Sequence, residues 1–463
     1  MFLALVLSLA APADWVPARW KWTEPATLEL AAGTPINCLL LDWTSEESGK
    51  IAAFAAKANE KGIVSLAVLR PGGDTAKEAR GVSLAKLNGV VLEGDFPDGT
   101  AGRVRDAIAD SKSVVIELTS RGRMKLGVAK EGAPIIGTYQ AVWPGIQIQE
   151  DGHTKAGPTG GTWIDTNSGF VRSVRSYGDA TVWLGNLPPP GTAVTSERYL
   201  QVLADAAIVG ARWILAMDDG FSARLHARDP KTLEAWMAIG QHLKYFEQHP
   251  EWRSFKPHGK LAIVQDTASG ALLSGGILDM IAVKHTPVRP VPPQRLSRET
   301  LKGANLAVNL DSDALDARQK EILRDFTKAG NTVLTAPKGW KDKSSIGGDT
   351  VTLEKAELER IYEIFKEVSG LIGRNNLGAR LFNVSTMLSN LTASDDGKQV
   401  LVHLVNYSGF PVENVSAHFL GDFKRARLFT PEGKERDLEV YKNEEGTGVD
   451  IDLVSVCASL RLE

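Results

Sequence analysis

Short apolar runs, most of them ending in or just before acidic or amide residues, recur through the first half of the chain. They are INCLLLDW to Trp43, VSLAVLR to Arg70, GVVLEGD to Asp95, VVIEL with Glu117, PIIGTYQ to Gln140, TWIDTN to Asn167, TVWLGN to Asn186 and RWILAMDD to Asp219. Continuous Val/Ile/Leu runs are the mark of parallel strands buried on both faces, and eight of them alternating with helices predict a closed (β/α)8 barrel. Helical spacing places the intervening helices at Ser45 to Lys61, Thr75 to Leu84, Thr100 to Ala109, Ser168 to Tyr177, Ser196 to Val209 and Lys231 to His249. The last stops before Pro250, because proline disfavours helix in the residue preceding it. Between the fifth and sixth runs, Trp143-Pro144-Gly145 and the Gly-rich stretch 157–161 replace a helix, which predicts a long loop over the barrel's carboxyl-end face.

The pattern changes twice further on. From 258 to 378, strands such as LAIVQ (Leu261 to Gln265), NLAVNL (Asn305 to Leu310) and Thr332 to Thr335 alternate with helices at Gly270 to Ile281 and Asp316 to Ala329, which predicts a small flavodoxin-like α/β domain. No glycine fingerprint or P-loop follows any of those strands, so a nucleotide cofactor is not expected and a structural or homo-oligomerising role is. From 379 to 463, short strands separated by Gly-bearing turns, among them Val400 to Asn406 and Val412 to Leu420, predict a β-sandwich, with His403 satisfying a local hydrogen bond. The fold class is therefore α/β: a (β/α)8 TIM barrel over residues 14–257, a flavodoxin-like α/β domain and a C-terminal β-sandwich.

Composition narrows the partners. A formal charge of -3 over 463 residues gives no reason to expect nucleic acid. Phe2 to Ala11 is too short to span a bilayer and leads into Ala11-Pro12-Ala13, so residues 1–13 read as a secretory signal cut after Ala13 and the mature protein as exported, periplasmic or extracellular. The two cysteines, Cys38 and Cys457, fall in separate expected domains and read as buried free thiols, and they are too few for a cysteine metal site. No cofactor is expected, although the acidic strand ends offer oxygen ligands of the kind that hold Mg²⁺ or Ca²⁺.

Chemistry concentrates at the strand ends, where a barrel builds its active site. Cleaving a glycosidic bond requires two carboxyl groups flanking it, and Glu117 as acid with Asp165 as nucleophile or base are the candidate catalytic pair. Asp42, Asp95, Asp218 and Asp219 are candidate sugar-hydroxyl acceptors, as are the amides Asn167 and Asn186. Trp43, Tyr139 and Trp143 are candidate stacking or wall residues, since sugar faces pack on flat rings.

The order of an acid-tipped barrel, a small α/β domain and a sandwich containing VHLVNYS (Val402 to Ser408) resembles the three-domain bacterial β-galactosidases and related barrel glycoside hydrolases. That resemblance implies hydrolysis of an oligo- or polysaccharide, and a middle domain that mediates subunit contacts. It also implies Asn-Glu at the end of the fourth strand and Glu at the end of the seventh, where this sequence offers Ile116-Glu117 and Gly185-Asn186. Glu117 then matches the acid, and the nucleophile has no counterpart. Two readings follow, a glycoside hydrolase with a displaced nucleophile, or a non-catalytic carbohydrate-binding or assembly protein on the same scaffold. Two rim carboxyl groups about 5 to 10 Å apart across an open, aromatic-lined cleft favour the first, and rim acids that are all salt-bridged or buried favour the second.

Overall fold

The computed structural model describes residues 10–463 except 112, 125, 127–134, 145–146, 149–152, 157–165, 189–190, 192, 266–284, 311, 338–344, 348–349, 385–386 and 434. By contact density the chain divides into two interleaved compact units, residues 1–141, 178–196 and 211–247 in the first, and 142–177, 197–210 and 248–463 in the second.

The first unit holds an eight-stranded parallel barrel. Its strands are β1 (Pro17–Arg19), β2 (Cys38–Asp42), β3 (Val64–Leu69), β4 (Gly89–Glu93), β5 (Val114–Thr119), β6 (Ile135–Thr138), β7 (Thr181–Leu184) and β8 (Ala211–Trp213), paired in that order. A single parallel bridge between Ala18 and Leu215 joins the last strand to the first. The strand count is the eight that the sequence pattern predicts, but two of the segments differ. Pro17–Arg19 lies in the Pro- and Trp-rich lead-in, has no apolar run, and nevertheless supplies the first strand. Residues 162–165 of the TWIDTN segment lie outside the described residues, and Thr166 and Asn167, which are described, are not in a strand.

Alternation decides what each strand sends inward. The barrel interior is filled by Cys38 and Leu40, by Val64, Leu66 and Val68, by Val91, by Ile116 and Leu118, and by Ile135, Trp183 and Ile214. Burying each such side chain contributes roughly 1.5–3 kcal/mol. Trp183 is accommodated because β6 carries Gly137, where a Cβ would stand 2.4 Å from Leu118 and 2.8 Å from the Trp183 carbonyl oxygen. Helices α1 (Ser48–Glu60), α2 (Thr75–Leu84) and α3 (Thr100–Ala107) follow β2 to β4, with Asp74 capping α2 through the Lys77 amide. A helix the sequence reading lacked, Asp219–His226, follows β8 and is capped by Asp218. The long helix Pro230–Glu247 succeeds it.

In the second unit, four parallel strands run in the order Val288–Val291, Leu261–Val264, Leu306–Asn309, Thr332–Thr335. The amphipathic helix Lys355–Ile372 packs Ile361, Ile364, Val368 and Ile372 on one face of this sheet. On the other lies Ala317–Lys328, started by a reciprocal Asp316/Gln319 capping box and buried through Leu323 and Phe326. Val288–Val291 escaped the sequence reading because its two prolines, Pro290 and the following Pro292, read as loop; as an edge strand it tolerates them. The expected helix from Gly270 to Ile281 lies outside the described residues. Residues 379–463 form two antiparallel sheets enclosing one apolar core, a β-sandwich. Its Val400–Asn406 and Val412–Leu420 strands have the bounds their sequence pattern predicts. His403 bonds Ser459 Oγ at 2.7 Å, and both cysteines are buried free thiols. Among the described residues, no helix is long and apolar enough to cross a membrane.

Candidate functional site

The same alternation that fills the barrel continues to the carboxyl ends of its first four strands. Leu40 points inward, and so does Asp42; Val68 is followed by Arg70, and Val91 by Glu93. Arg19 ends β1. These four side chains form a continuous ion-pair chain. Glu93 bonds Arg19 with one carboxylate oxygen and Arg70 Nε at 3.2 Å with the other, and Arg70 reaches Asp42 at 2.9 Å. The side chains of Arg19 and Glu93 are each only 8% exposed, whereas Asp42 is 68% exposed and Arg70 46%. Because Asp42 and Glu93 grip the same planar guanidinium, their bonded oxygens lie within about 8 Å of one another.

Local backbone geometry sets this chain in place. Directly after Glu93 the strand ends at Gly94, whose φ of 126° and contact with Pro71 leave no room for a Cβ, 2.6 Å from the proline ring. The Gly94 amide donates to the Leu118 carbonyl at 2.9 Å, fixing the end of β4 against β5. The electrostatics are asymmetric. Burial, with Arg70 nearby, lowers the Arg19 guanidinium to about 10, an effect that Asp42 partly opposes. Its Nε is buried without a hydrogen-bond partner.

The residues singled out from sequence scatter. Glu117 sits between Ile116 and Leu118, which both face the interior, so it points to the outside of the barrel and pairs with Arg105 of α3 at 3.2 Å. It lines an outer cavity of about 860 Å³ between α3 and strands β4 to β6, together with Leu92, Phe96, Met124 and Ile136. Asp165 lies outside the described residues. Trp43 is buried, with its ring beside Gly81 of α2. Asp95 accepts the Ser120 amide at 2.9 Å, Asp218 caps its helix through the Phe221 amide at 2.8 Å, and Asp219 pairs with Lys21 at 2.6 Å. Tyr139, just past β6, packs against the interior cluster, so it joins Asp42 on the inner side of the barrel. Asn186 ends β7 and donates to the Ala141 carbonyl at 2.7 Å. In the second unit, Asn167 is fully buried, clamps both the amide and the carbonyl of Val142, and donates to Asp205. Half-buried Trp143 meets Tyr199 edge-on at 5.8 Å. Among the described residues, no group of three or more His, Cys, Asp or Glu side chains gathers in a way that could hold a metal ion.

Arg19, Arg70 and Glu93 were not singled out as site residues in the sequence. The signal that finds them is the inward register of Cys38-Leu40-Asp42, Leu66-Val68-Arg70 and Val91-Glu93.

Two solved structures share this architecture from end to end. The α-L-fucosidase isoenzyme 2 from Paenibacillus thiaminolyticus aligns with a TM-score of 0.63 at 11% identity, over 99% of this chain and 98% of that one. The β-galactosidase from Rahnella sp. R3 aligns with a TM-score of 0.54 at 9% identity, over 96% and 99%. The chain has a glycoside-hydrolase-like barrel fold. No protein-family sequence model and no curated protein sequence matches it. With Pro17–Arg19 counted as the first strand, the fourth strand of this glycoside-hydrolase-like barrel ends at Leu92-Glu93 and the seventh at Gly185-Asn186. The fourth-strand position considered from sequence therefore falls to Glu93, one strand before Glu117.

Proposed function

We propose that the barrel mouth binds a carbohydrate and that Glu93 serves there as a fixed anion, making this a saccharide-binding protein on a hydrolase-like scaffold. The observation that carries this reading is the seat of Glu93, buried and gripped by Arg19 and Arg70 on its two oxygens. A general acid for glycoside cleavage must hold a proton near neutral pH, and hydrogen-bonding cations favour the ionised carboxylate instead. At the end of the seventh strand stands the amide of Asn186, which supplies no carboxylate nucleophile. Asp42, exposed and steadied by Arg70, is left to accept hydrogen bonds from sugar hydroxyls, with Tyr139 contributing a ring to the wall.

A second reading is supported by one distance. The Asp42 and Glu93 oxygens lie within about 8 Å, which overlaps the separation of carboxyl pairs in glycoside hydrolases, roughly 5–9.5 Å. Isothermal titration with a panel of neutral and acidic oligosaccharides, run beside reducing-end release, separates the two. Binding without turnover, weakened by Asp42→Asn, supports the first reading; turnover lost in Glu93→Gln supports the second.

Export is part of the same proposal. Cleavage after Ala13 would leave Asp14 as the first residue, and mass measurement of protein recovered outside the cytoplasm tests it.

A further inference from the structure

The sandwich carries a second feature suited to sugars, on the solvent face of its four-stranded sheet. That sheet pairs Ala379–Phe382, Val412–Leu420, Gly446–Val454 and Tyr441–Asn443, in that order. Ala379, Leu381, Val415, Ala417, Phe419, Val449 and Ile451 enter the core, so Arg380, Phe382, Ser416, His418, Gly448 and Asp450 face away from it.

Tyr441 lies flat across this outer face. It pairs with Gly448 in register, and a Cβ on Gly448 would stand 2.1 Å from its ring, so the glycine is what lets the ring rest on the backbone. Its hydroxyl is tethered as well. It donates to Asp450 at 3.1 Å and lies 3.4 Å from His418 Nε2, while Ser416 donates to the same Asp450 oxygen at 2.6 Å. His418 is held in turn by Glu445 at 2.6 Å, and Glu445 also receives Arg380 and Arg374. The Phe382 ring completes the row, 4.8 Å from His418 and capped by the Arg380 guanidinium at 4.9 Å. Both Phe382 and Tyr441 are more than a third exposed despite these restraints.

An aromatic ring covering a strand glycine can serve the sheet alone. That role does not call for a second exposed ring in the row, nor for fixing each ring's orientation through charged partners. We propose that this face is a saccharide-binding surface distinct from the barrel mouth, on which Tyr441 and Phe382 stack against the C–H faces of sugar rings of a neutral glycan and Asp450 and Arg380 bond its hydroxyls. Rings whose rotation is already restrained lose little entropy on binding, so a shallow surface of this kind suits repeated units of a polymer.

Native gel electrophoresis of the full-length protein in gels containing soluble β-glucan, xylan or arabinogalactan tests it, against a polymer-free gel. At least one neutral polymer should retard the protein, Tyr441→Ala and Phe382→Ala should each weaken retardation about tenfold, and Tyr441→Phe, which keeps the ring, should retain most of it. Asp42→Asn reports on the barrel mouth alone and should leave retardation largely intact. Thermal melts of each variant confirm that the sandwich is folded. Retardation by none of these polymers would overturn the proposal, as would retardation removed by Asp42→Asn and untouched by Tyr441→Ala. Concentration-dependent self-association that Tyr441→Ala abolishes would also overturn it, assigning the face to a second copy of the chain.

Discussion

Replacing Glu93 by glutamine tests whether the mouth is an electrostatic unit. The change keeps the shape of the side chain and removes its charge. Arg70 retains Asp42 at 2.9 Å, but Arg19, only 8% exposed, is left as a buried cation whose Nε already lacks a partner. Breaking a buried pair from one side costs about 3–5 kcal/mol, because the remaining charge stays desolvated. At roughly 2–4 °C per kcal/mol for a domain of this size, the barrel transition should fall by about 10 °C. A thermal melt reads the shift in temperature and urea unfolding the loss in free energy, both by tryptophan fluorescence, since Trp183 and Trp213 are buried in the first unit. Asp42→Asn is the control; its carboxylate is 68% exposed and its pair is worth about 0–1 kcal/mol. The joint change Arg19→Met with Glu93→Leu should recover most of the loss, as apolar side chains of similar size commonly replace buried pairs at little cost. A Glu93→Gln penalty under about 1 kcal/mol, or one no larger than that of Asp42→Asn, would refute the reasoning.

Acid should destabilise the sandwich through two groups. Burial, with His249 nearby, lowers His403 to about 3, so below about 6.5 the unfolded chain takes up a proton that the folded one refuses, and stability falls from there toward pH 3; His403→Gln should flatten that slope in a pH series of melts. Glu445 acts lower down, since its bonds from His418, Arg380 and Arg374 outweigh burial and hold it at about 2, stability that is lost as pH falls from about 4.5. Glu117→Gln should change stability by less than about 1 kcal/mol and leave saccharide binding at the mouth unaltered, because its pair with Arg105 is part-exposed and outside the barrel. Tyr407→Phe removes the hydroxyl that donates to fully buried Asp205 at 2.6 Å, and should cost about 1–3 kcal/mol by urea titration.

Much of the architecture was legible because buried parallel strands and amphipathic helices leave strong periodic signals. Thr75–Leu84 and Val400–Asn406 have the bounds their patterns predict. Pro17–Arg19 was not legible, since three residues without an apolar run become a strand only by pairing with Cys38–Leu40 and with Leu215. That omission moved the numbering of the first five expected strands by one, so that Glu117, expected on the fourth strand, lies on the fifth. Facing was the harder problem. In a strand covered on both sides, inward and outward residues are equally apolar, so VVIEL does not announce that Ile116 and Leu118 face the interior while Glu117 faces α3. The rim pairing was hidden for a different reason, because Arg19, Arg70 and Glu93 are far apart in sequence and only barrel closure brings them together.

The central claim is that the mouth binds a saccharide while Glu93 stays ionised. The most direct measurement is a single panel of oligosaccharides and aryl glycosides in which binding and bond cleavage are followed on the same samples of wild type, Asp42→Asn and Glu93→Gln. Saturable binding that Asp42→Asn weakens, with no cleavage above the uncatalysed rate, is the predicted result. Catalytic cleavage that Glu93→Gln abolishes in a folded protein would contradict it.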